Sequence, residues 1–236
     1  MALKRRWPGP PWGLVDAMLA LVLVFIINNS MGFIAKALGI RWSTLGFFTF
    51  ASVLQTAGII GVVFYYALVR YHTGGRALGL SARDLGRYIF TGLAGGVLIF
   101  LVVMLSGIFV QRFYPVTAEL QPFAQLVLNA NTWPQLAVLF VLGVVLAPLG
   151  EELYFRGFLY PVLRSYLGVP AAVLLSGGFF GLLHFDLLRF LPLALGGAGL
   201  AWLYERTGSL YTSIAAHGLW NFVMLALLAA KNPNFI

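Results

Sequence analysis

Cysteine is absent from this chain of 236 residues, and charged residues are scarce, at 9% of the total. The absence of cysteine excludes a disulfide-stabilised scaffold, a thiol nucleophile and a metal site built on thiolates. A soluble domain carries about 25% charged residues, so this composition does not supply a water-facing surface. Hydrophobic residues make up 61% of the chain instead, which also excludes a disordered chain. The composition therefore predicts an integral membrane protein.

Long apolar runs divide the chain into about seven candidate membrane spans, within a range of six to eight. A helix needs about 20 mostly apolar residues to cross a bilayer. Runs of this kind lie at residues 13–38, 44–70, 88–111, 134–163, 170–187, 189–205 and 209–230. Asp186 and Arg189, between the fifth and sixth runs, are interpreted as an ion pair at a helix end. We expect an all-α fold, a polytopic transmembrane helical bundle, in a single integral domain over residues 1–236. The connection 112–133 is expected to hold a short interfacial helix.

The net charge of +8 is spread between the apolar runs. Because no basic cluster with interleaved aromatic residues is present, no nucleic-acid partner is expected. In membrane proteins, basic residues concentrate in cytoplasmic loops. With Lys4, Arg5 and Arg6 in the cytoplasm, nine basic residues lie on that side and five on the other. The count predicts a cytoplasmic N-terminus, and twelve arginines against three lysines favour a bacterial cytoplasmic membrane.

The fourth apolar run contains three charged residues, Glu151, Glu152 and Arg156. A charge at bilayer depth costs about 2.5–3.5 kcal/mol on insertion scales, so such residues usually have a function. Glu152 and Arg156 are four residues apart and can pair on one helix face, which a purely structural role would also explain. Glu151 is rotated by about 100° from Glu152. We therefore expect Glu151 to be a buried carboxylate without a local partner, suited to act as a general base. Pro148 predicts a kink before the pair.

Two histidines lie in later apolar runs, each with a partner four residues away. Phe180 precedes His184, so the aromatic ring can brace the imidazole. His217 and Asn221 share one helix face, which directs two polar side chains toward one cavity. A lone histidine in an apolar helix is more often a packing residue. Here, however, the histidines, Asn221 and Glu151 fall at similar depths, about 12–22 Å above the cytoplasmic ends of three spans. The agreement predicts one polar site within the membrane.

A carboxylate, two imidazoles and a carboxamide suit the hydrolysis of an amide bond. Glu151, assisted by His184, would take a proton from water as a general base. His217 and Asn221 would donate hydrogen bonds to the developing oxyanion. The same side chains also suit a metal, because Glu151, His184 and His217 could hold Zn²⁺ with an open position for water. Metal-free and metal-bound hydrolysis both stay open, whereas the absence of a His-Glu-x-x-His motif excludes a zincin.

Three motifs in chain order resemble those of the CAAX protease and bacteriocin-processing (CPBP, or Abi) family of intramembrane proteases. The motifs are Glu151-Glu152-x-x-x-Arg156, Phe180-x-x-x-His184 and His217-x-x-x-Asn221, within a core of about residues 134–222. The resemblance implies a fold similar to that of the prenyl-protein CAAX endopeptidase. It also implies that Glu151 activates water, that His184 is its partner, and that His217 with Asn221 lies on the oxyanion side. The supporting residues would be Glu152, Arg156 and Phe180.

The resemblance implies an intramembrane endopeptidase that hydrolyses a membrane-associated or lipidated peptide or protein. Members of this family have been described both as metalloproteases and as glutamate-dependent enzymes without a catalytic metal, so a divalent ion such as zinc stays open. The expected partners are membrane lipids and a peptide or lipidated-protein substrate. The alternative is a non-proteolytic membrane scaffold or transporter, because intramembrane carboxylates and histidines also build proton relays.

Overall fold

The computed structural model describes residues 9–37, 44–114 and 121–235, and these ranges contain helices and no strand. Within them, six helices are long and apolar enough to cross a membrane. The predicted all-α polytopic bundle is therefore confirmed. The basic residues Lys4, Arg5 and Arg6, on which part of the orientation rested, lie outside the described residues, as does Arg41.

Nine α-helices, numbered in chain order, build the described part of the bundle. They are α1 (Leu14–Ala37), α2 (Thr44–Phe64), α3 (Leu85–Phe113), α4 (Pro122–Leu128), α5 (Trp133–Phe140), α6 (Ala147–Glu152), α7 (Tyr160–Leu182), α8 (Leu187–Thr207) and α9 (Leu210–Ala229). A π-helical turn, Tyr65–Arg70, extends α2. Helix α4 is the short helix that the connection 112–133 was expected to hold.

The helical run Trp133–Leu182 has 50 residues and includes α5, α6 and α7. It is interrupted inside α7 at Gly168, whose φ of 76° and ψ of 174° lie outside the helical region. A positive φ suits glycine because it has no Cβ atom. Pro170, two residues later, cannot donate a backbone hydrogen bond to the preceding turn. The break falls between the predicted fourth and fifth spans.

Helices α7 and α8 form a hairpin whose turn differs from the predicted boundary. The fifth span was predicted to run to residue 187, but α7 ends at Leu182. Asp186 instead begins α8, because its carboxylate accepts a hydrogen bond from the backbone nitrogen of Arg189 at 3.1 Å. The same two side chains form the predicted ion pair, at 2.9 Å. An aspartate at this position stabilises a helix N-terminus.

Helix α7 packs along α8 at a distance that leaves no room for side chains at the crossing. A Cβ atom at Gly177 would lie 2.6 Å from the backbone nitrogen of Ala198. A Cβ atom at Gly181 would lie 2.8 Å from the carbonyl oxygen of Phe190. Small residues allow such close backbone approach in membrane bundles. The crossing brings the start of α8 and the end of α7 together beside the polar site.

We expect Gly177→Ala to lower the free energy of unfolding by about 1–3 kcal/mol, the usual cost of overpacking. The neighbouring Gly178 is a matched control, because a Cβ atom there would meet nothing within 4 Å. Gly178→Ala should leave stability unchanged or raise it, since alanine is the better helix former. Thermal unfolding of the purified variants in detergent measures the difference, and equal midpoints for the two variants would contradict the close crossing.

Candidate active site in the membrane

Two π-helical segments, Val141–Leu146 and Leu153–Leu159, flank the short helix α6. Pro148 in α6 has no backbone N–H, so the helix opens one turn before the glutamates, as predicted. Inside a membrane the carbonyl groups in the opened turn need other donors. Asn221 donates its side-chain N–H to the carbonyl oxygen of Gly143 at 2.8 Å. Thr56 from α2 donates to the carbonyl oxygen of Leu146 at 3.3 Å.

Glu152 and Arg156 form the predicted ion pair, and both side chains are completely buried. The guanidinium Nη1 donates to Glu152 Oε1 at 2.7 Å, and Nη2 donates to the carbonyl oxygen of Gly197 on α8 at 2.7 Å. Glu152 Oε1 also faces His217 Nδ1 on α9, at 2.9 Å. One buried carboxylate therefore joins its own helical segment to α9, while Arg156 joins it to α8.

Phe180 lies at the centre of this cluster and contacts three of its members. Its ring centre is 4.8 Å from the imidazole centre of His184 and 5.6 Å from that of His217. The Arg156 guanidinium lies over the same ring at 5.0 Å, within the range of a cation–π interaction. The predicted bracing of His184 is thus present, and the same ring also packs against His217 and Arg156.

Glu151 and His184 face a common cavity of about 340 Å³. Its walls come from α1, α2, the segment Leu153–Leu159 and the turn after α7, with Tyr154 and Phe155 next to the glutamate. In the described part of the chain, a wider groove of about 590 Å³ between α3 and α8 is lined by no carboxylate or imidazole. Of these two, the smaller cavity is therefore the one whose lining includes side chains that can accept a proton.

Hydrogen bonds at Nδ1 assign the tautomer of both imidazoles. His184 Nδ1 lies 2.7 Å from the carbonyl oxygen of Phe180, which only accepts, so Nδ1 carries the proton. His217 Nδ1 faces the Glu152 carboxylate and is protonated for the same reason. In the neutral imidazoles Nε2 is then left with a lone pair. His184 therefore offers the cavity a hydrogen-bond acceptor.

The structure corrects the expectation that Glu151 is the buried, isolated carboxylate. Its side chain is 24% exposed, whereas that of Glu152 is 0% exposed. Glu151 has no partner on its own helix, as predicted, but His217 Nε2 lies 3.8 Å from its Oε2. His217 and Asn221 do not line the cavity. These two residues were predicted to lie on the oxyanion side, but His217 contacts Glu152 and Asn221 contacts Gly143 instead.

The residues proposed for zinc do not converge as a ligand set. Over residues 9–37, 44–114 and 121–235, no group of three or more His, Asp or Glu side chains is close enough to hold a metal. His217 lies outside the cavity that Glu151 and His184 share. The side chains as arranged therefore do not fit a three-ligand zinc site.

Sequence reasoning missed three carboxamide side chains of the cavity. Asn28 and Asn29 on α1 and Gln55 on α2 lie on the wall that surrounds Glu151 and His184. Their signal was available, because carboxamides are uncommon inside apolar spans and usually have partners there. No spacing rule relates these residues to the motifs, which lie about 100 residues later in the chain on other helices.

Comparison with known proteins agrees with the predicted resemblance. Residues 133–223 match the family described as "Type II CAAX prenyl endopeptidase Rce1-like". The chain is similar to the protein named CAAX prenyl protease 2 from Homo sapiens, with 33% identity over 34% of this chain and 30% of the relative. It is also similar to the "Putative membrane peptidase YdiL" of Bacillus subtilis (strain 168), with 30% identity over 42% of this chain and 41% of the relative.

The matched segments span less than half the length of these curated relatives. No solved structure matches the chain. All seven motif residues lie inside the matched region 133–223. This multi-pass membrane protein therefore carries, in that region, the sequence features of the Rce1-like type II CAAX prenyl endopeptidases.

Proposed function

We propose that this chain is an intramembrane endopeptidase that hydrolyses a peptide bond in a membrane-associated or lipidated substrate. One observation carries the proposal. Glu151 and His184 face the same cavity within the membrane region. His184 carries its proton on Nδ1, which leaves Nε2 as a hydrogen-bond acceptor. A carboxylate and an imidazole Nε2 that both accept hydrogen bonds are the groups needed to hold and deprotonate a water molecule. The names of both relatives, a protease and a putative membrane peptidase, support the same reaction class.

The proposed reaction begins with water held between Glu151 and His184 Nε2. Its oxygen attacks the scissile carbonyl carbon, and its proton passes to Glu151. The tetrahedral intermediate then collapses, the carbon–nitrogen bond breaks, and the leaving amine takes the proton from Glu151. The water molecule is thus divided between the new carboxyl group and the new amine, so no further reactant is required.

The buried groups behind Glu151 would hold this arrangement. Arg156 and His217 both bind Glu152 Oε1, which holds the helical segment on which Glu151 lies. For His217 to donate to the oxyanion, its Nε2 must first gain a proton. That proton has to be taken up from solvent before water attacks, because the one proton that Glu151 takes from water passes to the leaving amine. The Glu152 carboxylate at Nδ1 would balance the charge of the resulting imidazolium. Asn221 would first have to leave Gly143.

The relatives and the location of the site support the proposed substrate class. The family description and the name of the human relative both specify prenylated CAAX substrates. We propose that this chain cleaves a lipidated or membrane-associated peptide, in a bacterial cytoplasmic membrane with the N-terminus in the cytoplasm. Membrane lipids are the second expected partner. Because the described side chains as arranged do not form a three-ligand zinc site, no step is assigned to a divalent ion, and zinc dependence is left to direct measurement.

The purified protein in lipid vesicles should cleave quenched fluorescent peptides. The probes are a peptide library and a pair of peptides ending in a CAAX-type sequence, one farnesylated at cysteine and its unmodified twin. We expect the farnesylated peptide to be cleaved with a kcat/KM about tenfold higher, since burying lipid CH₂ groups favours binding. Parallel reactions with chelator, and with zinc restored, test metal dependence. A folded protein that cleaves none of these peptides would favour the scaffold or transporter alternative.

A further inference from the structure

Three carboxamide side chains line the cavity on the side of α1 and α2. Asn28 and Asn29 lie on α1 and Gln55 lies on α2, outside the region 133–223 that matches the protease family. Val24, Phe25 and Asn28 form one face of α1, because residues three and four apart share a helix face. The carboxamides are thus directed to the cavity that holds Glu151 and His184.

The carboxamides are not explained by helix packing. Asn29 donates to the carbonyl oxygen of Phe25 on its own helix, at 2.8 Å. Asn28 is half-buried and Gln55 is exposed along its membrane-spanning helix, and neither side chain forms a hydrogen bond with any described residue. Asparagine and glutamine in membrane helices usually bond across helices. An unsatisfied polar group costs several kcal/mol in the bilayer core. Two such groups at one cavity indicate a polar occupant that the isolated chain does not supply.

The chemistry of the wall favours an extended peptide as this occupant. A carboxamide both donates and accepts hydrogen bonds, which matches the N–H and C=O groups of a peptide unit. A peptide drawn into an extended form within the membrane has such groups unpaired. An anionic lipid headgroup would call for Lys or Arg, whereas Glu151 is the charged residue of this lining. A purely apolar ligand would have no use for carboxamides.

We propose that Asn28 and Gln55 bind the substrate's backbone beside the scissile bond, opposite Glu151 and His184. This inference rests on the proposed peptidase function. It assigns the N-terminal helices α1 and α2 a part in substrate binding. The carboxamides would hold the peptide in register, so that its carbonyl carbon faces the water at Glu151.

Leucine replaces these side chains with an apolar group of similar size. Asn28→Leu and Gln55→Leu should each raise KM for the quenched peptides by about 5- to 10-fold, the effect of one lost hydrogen bond, with kcat nearly unchanged. Gln111→Leu on α3 is a matched control, because Gln111 lies outside the cavity. It should keep the wild-type KM. An unchanged KM in both cavity variants, or a loss confined to kcat, overturns the proposal.

A change in the peptide itself separates binding from structure. Replacing one backbone N–H near the scissile bond by an ester oxygen removes a donor. At the position that faces Gln55, the ester should weaken binding to the wild type about 5- to 10-fold. The Gln55→Leu variant should bind the ester and the amide peptide with the same affinity, because the contact is already lost. An ester effect that is the same in both proteins at every position overturns the contact with Gln55.

Binding is also measured without cleavage, by fluorescence anisotropy of the same peptides on the Glu151→Gln protein in vesicles. Adding Asn28→Leu or Gln55→Leu to that protein should weaken the Kd by the same factor as KM. If no peptide is cleaved but the carboxamide variants still weaken binding, the proposed function fails and this inference survives. If cleavage depends on Glu151 but the Kd does not respond, this inference alone fails. If the carboxamide variants change the oligomeric mass but not the Kd, the carboxamides belong to a contact between copies of the chain. That result also overturns this inference.

Discussion

Glu151→Gln is expected to lower kcat by about 10²- to 10⁴-fold, the usual contribution of a general base. Glutamine has the same shape and keeps a hydrogen-bonding oxygen in the cavity, but it cannot take a proton from water. The side chain is partly exposed and forms no ion pair with Lys or Arg in the described chain. The substitution should therefore leave insertion and folding intact. Single-turnover cleavage of the quenched peptides in vesicles measures the change.

Glu205 offers a control with the same chemical change at a distance from the cavity. Its carboxylate accepts from Tyr160 at 2.9 Å and pairs with Arg164 at 2.8 Å. Glu205→Gln should lower thermal stability and leave kcat close to that of the wild type. Full activity of Glu151→Gln would remove the glutamate from the reaction. Loss of activity in both variants together with loss of folded protein would trace the effect to stability instead.

Arg156→Met is expected to produce the largest loss of stability, about 3–5 kcal/mol, as is usual when one partner of a buried ion pair is removed. The guanidinium is completely buried, and it donates to both Glu152 and Gly197. Without it, the Glu152 carboxylate remains buried with His217 as its one hydrogen-bond partner among the described residues. Reversible unfolding in mixed detergent micelles measures the difference in free energy of unfolding.

Arg70→Met is the matched control, because the Arg70 side chain is 56% exposed and its nitrogen is 3.9 Å from Asp16. Exposed pairs contribute about 0–1 kcal/mol, so this change should be small. In the double variant Glu152→Gln, Arg156→Met, the buried carboxylate is also removed, and part of the lost stability should return. An Arg156→Met protein as stable as the control would contradict the role of the ion pair in joining the helices.

Local spacing accounts for the parts of the site that were predicted correctly. Glu152 and Arg156, Phe180 and His184 are each four residues apart, and helix geometry alone brings such pairs into contact. The kink near Pro148 is equally local, because it follows from a missing backbone N–H. These features required no knowledge of how the helices pack.

Contacts between distant helices were not predictable in the same way. His217 meets Glu152 across 65 positions of the chain, and Asn221 meets Gly143 across 78. Sequence spacing assigned His217 and Asn221 to the cavity, but helix rotation and the opened turn before Pro148 direct them behind it. The same rotation exposes Glu151, which was predicted to be buried, to the cavity, and it buries Glu152 together with its ion-pair partner Arg156.

The sequence by itself determined the membrane class, the helical spans and the short-range pairs, because composition and the period of the helix act locally. Only the tertiary structure decided which polar groups share a cavity, which imidazole nitrogen is free, and which helices surround Glu151. Those outcomes depend on the rotation and crossing of helices far apart in the chain. They bring Asn28 and Gln55, which lie outside the three motifs, to the same cavity as Glu151 and His184.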